Sequence, residues 1–108
     1  MSISNLPDYG FIHRLEELSF VDAIWLYGSR ARGDNFERAD IDLAVVCPKA
    51  APEDWSRVLE IVEDADTLLN IDCVRYDQLK PGDSFRKSID REKQVLFSRA
   101  SLGVVLNG

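Results

Sequence analysis

The sequence predicts an α/β domain with a single small mixed β-sheet and helices packed mainly on one face. Two observations carry this. Short β-branched and aromatic runs alternate with helically spaced apolar residues along the chain. A helix long enough for a right-handed crossover separates the second run from the third, which makes those strands parallel, whereas the first and second are joined only by GSRARGDNFERA, which makes them antiparallel. At 108 residues and 45% hydrophobic composition the chain suits one modest core, and 1–108 reads as a single domain.

The first helix is expected over residues 8–19, where Phe11, Ile12, Leu15 and Leu18 recur at helical spacing and Asp8 follows Pro7 as a cap. VDAIWLY, Val21 to Tyr27, is a buried strand stopped by Gly28, and DIDLAVVC, Asp40 to Cys47, is a second strand ended by Pro48. From Pro52 to Leu69 a stripe of Trp55, Val58, Leu59, Val62 and Ala65 predicts the longest helix. NIDCVRY, Asn70 to Tyr76, is the third strand, closed by the turn-prone LKPGDS; a short helix over Ser84 to Asp90 and a brief strand QVLFS follow. Trp25 and Trp55 are assigned to core, His13 to the surface, and Tyr76 to the rim of the site developed below.

The net charge of -6 argues against direct nucleic-acid binding through phosphates. Lys80, Arg86, Lys87, Arg91, Lys93 and Arg99 in the last third read first as a solvated face. No run of eighteen apolar residues and no basic leader followed by an apolar stretch occurs, so neither a membrane span nor an export signal is expected. Cys47 and Cys73 lie within apolar strand runs and read as small reduced hydrophobes, as in a cytoplasmic protein.

The chemistry concentrates at one sheet edge. Side chains alternate along a strand, so Asp40 and Asp42 share a face, and the end of strand one meets the starts of strands two and three, where Asp72 stands. Clustered carboxylates repel unless a cation relieves them, and three hard oxygen donors with room for water suit Mg²⁺. Gly28 permits a sharp turn and close ligand approach, and if SRARG opens a short helix its N–H groups and the Ser29 hydroxyl form a phosphate cradle, with Arg30 and Arg32 adding positive charge. A lone Asp-x-Asp at a strand end is more often a solvated turn. The conjunction of Gly-Ser, ten residues, Asp-x-Asp and a further strand aspartate is more specific, and reads as a site for a metal-bridged nucleoside triphosphate.

GSRARGDNFERADIDLAV resembles the signature of the DNA polymerase beta-like nucleotidyltransferase superfamily. In length and in its closing segment SIDREKQVLFSRA the chain is similar to the minimal nucleotidyltransferase (MNT) branch, the antitoxins of HEPN/MNT toxin–antitoxin pairs. The resemblance implies that Gly28 and Ser29 hold the triphosphate of ATP, that Asp40 and Asp42 ligate two Mg²⁺ ions, and that Asp72 completes one metal site and helps activate the attacking hydroxyl. It implies AMP transfer to a tyrosine of a partner HEPN toxin, which is thereby silenced. Arg30 and Arg32 match the common GSRARG form.

Ala39 stands where a serine often precedes the aspartate pair, and the chain has no length for the helical domain that grips base or acceptor in larger relatives, so that task falls to the remainder or to a partner. Two other readings stay open. One is a binding module that neutralises its partner by steric contact, through the apolar tail or the basic last third; the other is a nucleotide-sensing subunit without turnover. Homo- and hetero-oligomers are both compatible with the sequence.

Overall fold

The computed structural model describes residues 9–33 and 40–99. In chain order the elements are α1 (Gly10–Glu16), β1 (Ala23–Tyr27), α2 (Gly28–Arg32), β2 (Ile41–Val46), α3 (Pro52–Glu63), β3 (Ile71–Arg75), a 3-10 turn at Tyr76–Gln78, α4 (Ser84–Glu92) and β4 (Gln94–Ser98). The four strands form one mixed sheet in the order β3-β2-β1-β4. As the connection lengths predict, β1 and β2 are antiparallel and β2 and β3 parallel; β4 adds antiparallel to the free side of β1, with an irregularity between Ile24 and Trp25.

Strand alternation sorts the side chains into two layers. One face carries Ile24 and Leu26 of β1 with Ile41, Leu43 and Val45 of β2, all fully buried against Phe11 and Leu15 of α1 and Val58 of α3. Each such side chain contributes about 1.5–3 kcal/mol of transfer free energy. The other face carries Trp25, Tyr27, Ala44 and Val74, covered by α4 through its buried Ile89. Trp55 packs partly buried against the first layer and Trp25 against the second.

The helices differ from the sequence expectation at their ends. α1 spans Gly10–Glu16, and its free N–H groups at Gly10 and Phe11 donate to Asp66, at 3.0 and 3.2 Å, from the loop before β3. Asp8, the expected cap, lies outside the described residues. α3 stops at Glu63 instead of Leu69: Asp64 ends it, Asp66 is engaged by α1, and Thr67 Oγ1 accepts the Leu69 N–H at 3.1 Å. Its buried residues are Val58 and Ile61, whereas Leu59 of the expected stripe is 40% exposed, because the stripe turned one residue from the face that meets the sheet. At its start Asp54 accepts the Ala51 N–H at 2.9 Å, half of a capping box.

Past β2, Arg75 and Asp77 form a largely buried ion pair, Nε to Oδ2 at 2.9 Å. The same arginine donates to the carbonyls of Cys47 and Ala50, and Asp77 Oδ1 accepts the Cys47 N–H at 2.9 Å, so this pair pins the β2–α3 connection to the end of β3. Cys47 and Cys73 are free thiols, and burial pushes them up to about 11 and about 12 respectively. They are inert hydrophobes, as expected.

Candidate active site

Register builds the site. Tyr27 lies opposite Asp42 across the β1–β2 ladder, and Asp42 lies opposite Asp72 across the β2–β3 ladder. Tyr27, Asp42 and Asp72 therefore form one row over three strands, on the face of the sheet that α4 covers. The Tyr27 hydroxyl donates to Asp72 Oδ2 at 3.4 Å. Asp40 enters β2 two residues ahead of Asp42 and, like Asp72, is exposed; Asp42 is half-buried.

Gly28 ends β1 and turns the chain into α2 with φ +76°, a left-handed conformation that side chains disfavour. A Cβ built there would overlap the Asp42 carboxylate oxygen and stand 3.2 Å from its Cγ. The turn therefore approaches the carboxylate closely because residue 28 has no side chain. Ser29 follows, half-buried, at the start of α2. Of the two arginines in this helix, Arg30 is buried at 4% exposure, while Arg32 is exposed and pairs with Glu92 of α4 at 3.2 Å.

The electrostatics follow from that packing. Burial, then the charges of Asp72 and Asp40, hold the Asp42 carboxyl above the usual aspartate range, opposed by Arg32. Burial, then the charges of Asp72 and Asp42, also raise the Tyr27 phenol, so it is a hydroxyl donor throughout the physiological range. Negative charge is thus accumulated at the sheet edge. Among the described residues no three His, Cys, Asp or Glu side chains are already drawn into a metal cage. The donor set nevertheless fits hard divalent cations, because the burial and the neighbouring carboxylates that raise the Asp42 carboxyl are both offset by such a cation.

α4 closes the carboxylate face from below. Its N-cap Asp83 accepts the Phe85 N–H at 2.8 Å, and the Phe85 ring meets Tyr27 edge-on with centroids 5.6 Å apart. Tyr76, expected at the site rim, follows β3 at the end remote from Asp72. It stacks edge-on with Trp25 at 4.6 Å and donates to Asp90 at 2.6 Å. Glu37, Arg38 and Ala39, between the turn and the aspartates, lie outside the described residues. A groove between α1 and α3, lined by Arg14, Leu18, Arg57 and Ile61, is on the opposite face of the sheet and takes no part in the site. No described helix is long and apolar enough to cross a membrane.

Of the residues expected at one edge, the register aligns Asp42 with Asp72, Gly28 packs against Asp42, Asp40 directly precedes β2 and Ser29 follows the turn at the start of α2. Tyr27 reads first as strand packing, with contact to a ligand through its place before the Gly-Ser turn as the lesser reading. The signal for more was present, since a strand ending at Tyr27 opposite a strand starting near Asp40 puts Tyr27 beside Asp42. Nothing local marked Phe85.

The family model of polymerase beta nucleotidyltransferases matches residues 11–102. No curated protein matches significantly in sequence. Among solved structures, a toxin–antitoxin with AMP-PNP is similar in fold, with a TM-score of 0.60 at 17% identity over 82% of this chain and 71% of that one. A mutant of the toxin–antitoxin MntA-HpeT gives 0.58 at 14% identity over 81% and 70%. A nucleotidyltransferase from Sulfolobus solfataricus, described as putative by its determination, gives 0.53 at 22% over 83% and 76%. With the sheet order, the Gly-Ser turn against the aspartate row and a family match over most of its length, this chain belongs to the polymerase beta nucleotidyltransferase family.

Proposed function

We propose that the protein transfers AMP from ATP to a tyrosine hydroxyl of a partner HEPN-type toxin, as a cytoplasmic antitoxin, with Asp40, Asp42 and Asp72 holding two Mg²⁺ ions. The observation that carries this reading is the Tyr27–Asp42–Asp72 row with the Gly28 backbone packed against its central carboxylate. Structures of toxin–antitoxins, one of them with an ATP analogue, share the fold and support the choice of partner.

Asp40, Asp42 and Asp72 would hold the divalent cations, which would supply positive charge to the phosphate oxygens. Gly28 and Ser29 receive the outer phosphates beside Asp42, and Asp72, exposed at the end of the row, accepts the proton of the incoming hydroxyl. The acceptor oxygen bonds to the α-phosphorus while the bond from that phosphorus to the pyrophosphate oxygen breaks. Pyrophosphate leaves, and its departure in line with the attack places the acceptor on the side away from the Gly28–Ser29 turn.

The test is incubation of the purified protein with Mg²⁺, labelled ATP and its genomic neighbour's product, followed by intact mass of both chains, with an Asp40→Ala, Asp42→Ala control. AMP-sized gains on the partner that vanish in the control are expected. A stable complex without any gain would overturn the transfer reading in favour of steric neutralisation.

A further inference from the structure

The described residues include four large apolar side chains that are exposed, Leu59, Leu68, Phe85 and Val95, and of these Phe85 makes a ring contact with the carboxylate row. It is 38% exposed, and its ring meets that of Tyr27, whose hydroxyl touches Asp72. The Asp83 cap fixes the backbone that presents it.

α4 turns one flank toward the site. Phe85 and Glu92 are seven residues apart, so they share one flank of the helix, about two turns or about 10 Å from each other. Glu92 reaches Arg32 at the end of α2, the helix that begins with the Gly28–Ser29 turn. The opposite flank, with Arg86, Asp90 and the adjoining Lys93, is spent on Tyr76 and Trp25, away from the carboxylates. Phe85 thus stands on the site-facing flank, two turns along the helix from the Glu92–Arg32 pair and against Tyr27, whose hydroxyl reaches Asp72.

We infer that Phe85 is an acceptor subsite: its exposed ring face receives the aromatic side chain whose hydroxyl is presented to Asp72. This rests on the transfer reading above and deepens it, because that reading makes Asp72, which the Tyr27 hydroxyl touches, the carboxylate that takes the acceptor's proton. An aromatic acceptor gains an edge or offset contact with a ring already held in place by Tyr27, which selects tyrosine over serine or threonine hydroxyls.

Two measurements test it together. In steady-state AMP transfer to the toxin, Phe85→Ala is expected to raise KM for the toxin about tenfold, with KM for ATP and kcat at saturating toxin near the parent values, and Phe85→Tyr to restore it. In NMR titrations of the parent protein, N-acetyl-tyrosinamide is expected to shift the Phe85 ring protons, and N-acetyl-serinamide and AMP-PNP to leave them in place. A rise in KM for ATP instead, or ring shifts with AMP-PNP, would overturn the inference by making Phe85 a base platform. Unmoved ring signals with tyrosinamide would overturn it even if Phe85→Ala fails to fold. If the parent transfers no AMP yet tyrosinamide shifts the ring, the transfer reading falls and the aromatic subsite stands; if transfer occurs and Phe85→Ala is silent, the reverse holds.

Discussion

Replacing Gly28 by alanine should injure the protein in two separable ways. The first is conformational: φ of +76° costs an L-residue about 1–2 kcal/mol relative to glycine. The second is steric, because the new methyl overlaps the Asp42 carboxylate and forces it aside, an overpacking of about 1–3 kcal/mol. Truncating Asp42 to alanine removes the second contribution alone, since the remaining contact would be to Asp42 Cβ at 3.4 Å, an ordinary van der Waals distance. Urea unfolding of the parent, Gly28→Ala, Asp42→Ala and the double variant closes a cycle, and the expected coupling is about 1–3 kcal/mol, with the glycine change less harmful when Asp42 is gone. In the transfer assay Gly28→Ala should also lose about 100-fold, the usual penalty for displacing a positioned group by an ångström. A coupling within about 0.3 kcal/mol of zero would refute the argument that the turn and the carboxylate are in mutual contact.

Tyr27→Phe removes the hydroxyl that touches Asp72 and should lower kcat about tenfold while changing the unfolding midpoint little, in keeping with loss of an outer-shell hydrogen bond; an unchanged kcat would remove Tyr27 from the mechanism. Asp42→Asn should unfold at a higher temperature than the parent at pH 7, because the folded carboxyl is raised above its unfolded value and so destabilises the fold when ionised; the gap should narrow below about pH 4, where both forms are neutral, and calorimetry across pH reads it. Asp66 has the opposite sign: the Gly10 N–H it accepts holds its carboxyl below the usual range, so its stabilisation is full above about pH 4 and is lost as the pH falls further. The Tm deficit of Asp66→Ala should therefore be present at pH 7 and fade in acid. Asp77→Ala strands the Cys47 N–H and leaves Arg75 without its carboxylate, which should cost about 3 kcal/mol, seen as a lower urea midpoint at unchanged slope.

The strands and the β1–β2 and β2–β3 pairings were legible because alternation, Gly28 and Pro48 all speak locally, and because connection length constrains direction; the place of β4 beside β1 was not. The candidate site's carboxylate row was legible for the same reason: Asp42 and Asp72 fall on one face of two strands whose register is fixed by the buried Ile41, Leu43 and Val45. What escaped was non-local. The cap of α1 comes from Asp66, whose engagement there also helps end α3 short of its apolar pattern, and no window around either segment contains that fact. Phe85 escaped likewise, since its significance lies in Tyr27, which is distant in sequence and adjacent only after β1 and α4 are packed.

The two faces of β2 explain how a fold this small carries a repulsive cluster. Ile41, Leu43 and Val45 are fully buried on one side, while Asp42 points to the other with Asp72 beside it and Gly28 against it. The strand is thus held by apolar burial that does not involve its carboxylates, and the stability forgone at Asp42 is drawn from a side of the sheet that contributes less to the core. A structural carboxylate in such a position would find a donor of its own, as Asp66 finds Gly10 and Phe11 and as Asp77 finds Arg75 and Cys47. Among the described residues Asp42 instead faces two further carboxylates, with Arg32 as the opposing charge that acts on it. Its unfavourable surroundings are better explained by a ligand that brings positive charge than by any requirement of folding.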